Sequence, residues 1–97
     1  MLTRTDARLR AQRHLDSIPM SPNDSIIILD DYTIEKDYGW IFSYNSRRYV
    51  EEGALSHALA GNGPIVVMRQ DGAIHELSGA LPLEQAIADF EAVFERR

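Results

Sequence analysis

The sequence predicts an α+β fold: an antiparallel β-sheet of four to five strands flanked by N-terminal and C-terminal helices packed on one face. Three observations lead there. The stretch WIFSYNS alternates Trp40, Phe42 and Tyr44 with Ile41, Ser43 and Asn45, the two-residue period of a strand with an aromatic inner face. Two apolar runs, PIVVMRQ and AIHELS, are separated by Asp71-Gly72, a strong hairpin signal. The segment PLEQAIADFEAVFERR places Leu83, Ala86, Ile87, Phe90, Val93 and Phe94 along one helical stripe.

The elements follow in order. TRTDARLRAQRHLDSI puts Ala7, Ala11, Leu15 and Ile18 on one helical face, with His14 at its margin. Thr3 or Thr5 caps the start and Pro19 helps to end it. Arg4, Arg8, Arg10 and Arg13 spread around the remaining surface, as on a solvated helix, and Leu9 falls opposite the apolar face. MSPND is a loop. Residues 26–35 and 39–45 then read as an antiparallel hairpin, RRYVEEG as a short third strand, and ALSHALAG as a short helical or irregular connection. The Asp71-Gly72 hairpin follows, and the last helix has Pro82 at its first position with Arg96 and Arg97 at its end.

Ninety-seven residues, 44% of them hydrophobic, make one domain spanning 1–97. The absence of cysteine excludes a disulfide framework, a thiolate nucleophile and a cysteine-ligated metal centre. MLTRTDARLR lacks an apolar signal core and no apolar run is long enough for a membrane span, so the chain reads as soluble and cytoplasmic. A formal net charge of −5 argues against nucleic acid or an anionic membrane as partner and suits a basic protein.

The glycine-rich stretch LAGNGPIVV invites a phosphate-loop reading, but the order of elements is wrong for one. Phosphate loops follow a strand and open a helix, so that amides at the helix N-terminus face the anion. Here Gly61-Asn62-Gly63 follows a helical turn and Pro64 leads into a strand, with no GK[ST] and no third glycine at dinucleotide spacing. A turn or helix cap, with Gly61 and Asn62 suited to positive φ, accounts for the residues, and no cofactor is expected. His14, His57 and His75 lie on three elements without metal-ligand spacing. His75 and Glu76, adjacent on a strand, point to opposite faces, and so do Asp30 and Asp31, which as neighbouring strand residues do not converge on one substrate atom. Ser56-His57 has no recognisable orienting carboxylate. No catalytic residue is assigned and no enzyme is expected.

The acidic residues offer a better surface. Asp30, Asp31, Glu35 and Asp37 belong to the first hairpin, and Glu51 and Glu52 follow the third strand. If the hairpin tip and the 51–53 turn are close, they form a negative rim; the alternative is a solvated edge that discourages aggregation. Trp40 reads as a core anchor.

The runs ILDDYTIEKDYGWIFSYNSRRYVEEG and ALAGNGPIVVMRQDGAIHELSGALPLEQAIADFE resemble the immunity protein 35 family of bacterial polymorphic toxin systems, also called YrhB-like. The resemblance covers nearly the whole chain, and GWIFSYNS, LAGNGPIVV and the DG turn with its amphipathic helix are its most specific pieces. Met68 stands where a more polar strand end is expected. The resemblance implies a small α+β antitoxin that neutralises a cognate toxin protein by steric occlusion, without cofactor or turnover; a chaperone-like role is the alternative. It carries over no catalytic residues. Asp30, Asp31, Glu35, Asp37, Glu51 and Glu52 are the expected partner contacts, with Tyr32, Tyr38 and Tyr49 as aromatic anchors. Tyr38 is the aromatic least easily assigned to the core.

Overall fold

The computed structural model describes residues 1–59 and 62–94. Helix α1 (Arg4–Asp16) leads into strand β1 (Ile26–Ile28), a 3₁₀ turn over Asp30–Tyr32, and strands β2 (Ile34–Lys36), β3 (Gly39–Phe42) and β4 (Tyr44–Ser46). Helix α2 (Arg47–Glu52) and a second 3₁₀ turn over Leu55–His57 follow, then strands β5 (Asn62–Met68) and β6 (Ile74–Ser78) and helix α3 (Leu83–Phe94). Strands β2-β3-β5-β6 form an antiparallel sheet in that order, and β1 pairs with β4 in a two-stranded one. The α+β class, the antiparallel pairing, the Asp71-Gly72 hairpin and the terminal helices match the sequence reading. No helix of the described residues is long and apolar enough to cross a membrane.

The helices do not share a face of the sheet, and here the sequence expectation is corrected. All four residues of β3 are buried. Its partner β5 buries Ile65, Val66, Val67 and Met68 in succession. Side chains alternate along a strand, so Trp40, Phe42, Ile65 and Val67 pack with Ala7, Ala11 and Leu15 of α1. Ile41, Val66 and Met68 pack instead with Leu77 and with Ala86 and Ile87 of α3. Each face needs its own helix. An unbroken apolar run marks a strand buried on both sides, and IVVM carried that information; the aromatic period of WIFSYNS drew attention to one face only. Met68 is buried in the α3-side cluster, which explains an apolar residue at that strand end.

Helix α1 starts in a capping box: the Thr3 hydroxyl accepts the Asp6 N–H at 3.2 Å, and the Asp6 carboxylate accepts the Thr3 N–H at 3.3 Å. Small side chains at Ala7 and Ala11, both fully buried, let the helix lie close over Trp40 and Phe42. Leu9 stays 54% exposed, as its position opposite the apolar face predicts.

RRYVEEG is a helix rather than a third strand. Ser46 caps its start, Gly53 ends it in the left-handed region at φ 69°, and the Gly53 N–H donates to the Tyr49 carbonyl at 3.0 Å. Arg47–Glu51 and Arg48–Glu52 pairs run along its surface one turn apart. A serine and a glycine bracketing six residues were the available signals, and they outweigh the β-propensity of Tyr49 and Val50.

The first hairpin is also interrupted. Ile28 faces Tyr44 and Ile34 faces Ile41, so residues 29–33 stand opposite only Phe42 and Ser43. The surplus bulges outward as the Asp30–Tyr32 turn. Asp30 and Asp31 therefore do not sit on an extended strand.

Of the GNGP motif, Gly61 lies outside the described residues. Strand β5 already includes Gly63 and Pro64, at a register shift between Asn62 and Ile65. Gly63 is needed for space: a Cβ there would collide with the Leu77 carbonyl oxygen on β6. Replacing Gly63 by Ala should force the β5–β6 ladder apart and destabilise the protein by about 1–3 kcal/mol. Thermal unfolding would show this as a midpoint several degrees lower, and an unchanged midpoint would refute the close-approach role.

Candidate functional site

The structure spreads the acidic residues along the hairpin ladder and onto α2. The antiparallel ladder runs from the Asp37–Tyr38 turn at one end to Ser46, opposite Ile26, at the other, and α2 departs from that far end. At about 3.3 Å per residue the ends are roughly 25 Å apart. Glu35 and Asp37 thus lie far from the start of α2, whereas Asp30 and Asp31, on the bulge opposite Phe42 and Ser43, stand only three to four residues along the ladder from Ser46, roughly 10–13 Å.

Most of these charges are also compensated locally. Arg8 of α1 grips Asp30 with two hydrogen bonds, of 2.7 and 3.1 Å, which hold the Asp30 carboxyl below its ordinary range. Arg69 donates to Glu35 at 3.2 Å, to the carbonyls of Lys36 and Asp37 at 2.9 and 3.2 Å, and lies 4.2 Å over the Trp40 ring. Glu51 and Glu52 pair with Arg47 and Arg48 on the same helix. Among the described residues, only Asp31 and Asp37 of the six have no ion pair.

The aromatic residues divide in the same way. Tyr32 rides on the bulge and is 67% exposed, held up by an arginine-clamped turn. Tyr38, expected outside the core, packs against Phe90 and Phe94 with ring centroids 5.7 and 5.5 Å away. Its hydroxyl donates to Glu91 at 2.7 Å, so Tyr38 fastens the hairpin turn to α3. Tyr49 is half-buried on α2, next to Val50 and close in sequence to Leu55, which is 78% exposed.

Sequence reasoning missed a polar hub beneath α2. Asp24 has a side chain only 1% exposed, and Ser46 is completely buried. The Ser46 hydroxyl donates to Asp24 Oδ2 at 2.6 Å, and His57 Nδ1 stands 3.3 Å from the same oxygen. The other oxygen, Oδ1, accepts the N–H groups of Ser25 at 2.8 Å and Arg48 at 3.2 Å. Nearby, Arg47 donates to the Asn23 carbonyl at 2.6 Å, and Asn45 Oδ1 accepts the N–H groups of Ser46 and Leu59, both at 2.8 Å. His57 therefore does have a carboxylate partner, contrary to the sequence expectation, because the fold returns the 55–57 turn to the 21–25 loop.

Serine, aspartate and histidine in contact suggest a catalytic triad, but their order is different. In a nucleophile–base–acid relay the imidazole lies between hydroxyl and carboxylate, ready to take the hydroxyl proton. Here the carboxylate is in the middle, the Ser46 proton already points at it, and the buried hydroxyl offers no approach to a substrate. The hub ties the 23–25 loop, β4, α2 and the second 3₁₀ turn together through one anion. It also supplies a negative charge near the N-terminus of α2, where the helix dipole favours one. The other histidines stand apart, His14 Nε2 at 3.2 Å from Glu76 and His75 against the Phe90 ring at 5.5 Å. No group of three or more His, Cys, Asp or Glu among the described residues is placed to hold a metal ion.

Comparison with known proteins places this geometry in context. The family model described as Immunity protein 35 matches residues 5–93. The chain is 33% identical over 91 residues to the Escherichia coli K12 protein YrhB, described as uncharacterized; the match covers 94% of this chain and 90% of YrhB. No solved structure matches significantly.

The hub has a pH signature. The Ser46 hydroxyl, then the Ser25 and Arg48 amides and the neighbouring His57, bring the Asp24 pKa down from 3.8 to about 2 against the opposing effect of burial. A folded-state pKa below the ordinary one means that Asp24 stabilises the native state above about pH 4 and loses this contribution as the pH falls towards 2. Asp24→Asn should lower the thermal midpoint at pH 6 and flatten its decline between pH 4 and 2. Parallel curves for wild type and variant in that window would refute the assignment.

Proposed function

Because the chain belongs to the immunity protein 35 family, we propose that it is an immunity protein that binds a cognate bacterial toxin and blocks its active site, without cofactor or turnover. The family match over almost the whole chain carries this reading. The hub geometry supports it, since the one Ser–Asp–His contact among the described residues is ordered for cohesion rather than for proton transfer.

The contact surface we favour centres on the 3₁₀ bulge. Tyr32 offers a large amphipathic ring, and Asp31 beside it has no ion pair among the described residues. An exposed tyrosine on a rigid support costs little conformational entropy to bind, and tyrosines are enriched among binding hot spots. Asp30, Glu35 and Asp37 flank this centre and would act through complementary charge, which speeds encounter more than it strengthens the complex. Tyr49, Glu51 and Glu52, at the other end of the ladder, would form a second contact zone together with exposed Val50 and Leu55. Tyr38 would serve by fixing the hairpin turn.

The test is co-expression with the toxin domain encoded beside the gene. Rescue of growth and a stable one-to-one complex on size exclusion are expected. Joint Asp31→Lys and Tyr32→Ala substitution should weaken that complex about tenfold or more, on the order of 1.4 kcal/mol or above, without lowering the thermal midpoint. Absence of both rescue and complex would reject the immunity reading. Suppressed aggregation of unrelated clients in its place would indicate the chaperone alternative.

A further inference from the structure

The charge distribution on α1 points to a second binding feature that the acidic surface does not account for. The protein carries a net charge of −5, and five of the eight lysine and arginine side chains among the described residues are in ion pairs. Arg8, Lys36, Arg47, Arg48 and Arg69 each pair with a carboxylate. Among the described residues the arginines without an ion pair are Arg4, Arg10 and Arg13, all on α1, and Arg4 lies within electrostatic reach of Asp30. Arg10 and Arg13 remain. Both are exposed, and both line one open groove of about 710 Å³ between α1 and the start of β6.

The groove has an apolar component as well. Leu2, Leu9 and Ile74 line it beside the two guanidinium groups. Leu9 and Arg13 are one turn apart and share a helix flank, so the leucine that the core leaves exposed sits beside the unpaired cations. Asp6 and His14 also line the groove; the Asp6 carboxylate accepts the Thr3 N–H, and His14 contacts Glu76. The Arg10 guanidinium lies close over Gly72: a Cβ there would come within 2.8 Å of it.

We propose that this groove docks a short acidic peptide segment with apolar side chains, carried by the protein's partner. The proposal rests on the reading of the chain as a binding protein and adds the chemistry of one contact. Carboxylates of the segment would take bidentate hydrogen bonds from Arg10 and Arg13, and its apolar side chains would cover Leu2, Leu9 and Ile74. A peptide fits better than a polyanion: two arginines offer little to a phosphate backbone or lipid surface, and the overall negative charge opposes both.

The test is an NMR titration of the ¹⁵N-labelled full chain with a terminally blocked hexapeptide of alternating Glu and Leu. Saturable shifts are expected at amides of α1 and the β5–β6 turn, with a Lys and Leu counterpart inert. Arg13→Glu, at an exposed position, should weaken binding about tenfold while leaving amide signals elsewhere in place. The proposal is overturned if no saturable shift occurs, if the variant binds as wild type does, or if a Gln and Leu peptide binds equally. A response to phosphatidylserine vesicles or single-stranded DNA, with none to the acidic peptide, overturns it too. The two readings fail separately. Peptide binding without a toxin complex leaves the groove standing and rejects immunity; a toxin complex with an inert groove does the reverse.

Discussion

The structure depends on a pair of strands that cannot face water on either side. Strands β3 and β5 present Trp40, Phe42, Ile65 and Val67 to one face and Ile41, Val66 and Met68 to the other. At about 1.5–3 kcal/mol for each fully buried large apolar side chain, neither face can be left open. Two helices are required, and the chain supplies them from its two ends. Sandwiching the central pair fixes β2 and β6 at the sheet edges. Exposed side chains are thereby confined to the turns, the bulge, the edge strands and the outer flanks of the helices.

From that constraint follows the placement of the charged surfaces. The bulge at Asp30–Tyr32 arises because one strand of the hairpin has more residues than its partner can match, and Arg8 from α1 reaches across to hold it. Since α1 is itself anchored to the core through Ala7, Ala11 and Leu15, the turn that carries the exposed Tyr32 is tied through Arg8 to a helix packed on the core. Beyond β4, α2 buries none of its own residues and is held instead by polar contacts from Asp24, Asn45 and Ser46. The bulge is braced by apolar packing and a surface ion pair, α2 by a buried anion. This difference makes the α2 end the more sensitive to acid.

Local arithmetic located most elements, and it failed where contacts across the chain decide. The α1 stripe, the Asp71-Gly72 hairpin and the α3 stripe could be read because their periods and turn residues are written in neighbouring positions. RRYVEEG reads as a strand, yet Ser46 and Gly53 bracket it as a short helix. The bulge was hidden, since an alternating sequence does not announce how many residues its partner will leave unmatched. Among the site residues, Tyr32 and Asp31 could be picked out as surface groups, whereas the local neutralisation of Asp30, Glu35, Glu51 and Glu52 could not.

By itself the sequence determined the α+β class, the terminal helices and the family, and it identified Trp40 as a core residue. These depend on composition and on spacing of a few positions, which act before the chain is compact. Only the tertiary structure decided that the helices take opposite faces, that most of the acidic residues meet a basic partner, and that Asp24 meets Ser46 and His57. Each of those is a distance between residues far apart in the chain, and such distances exist only after the two faces of β3 and β5 have been covered.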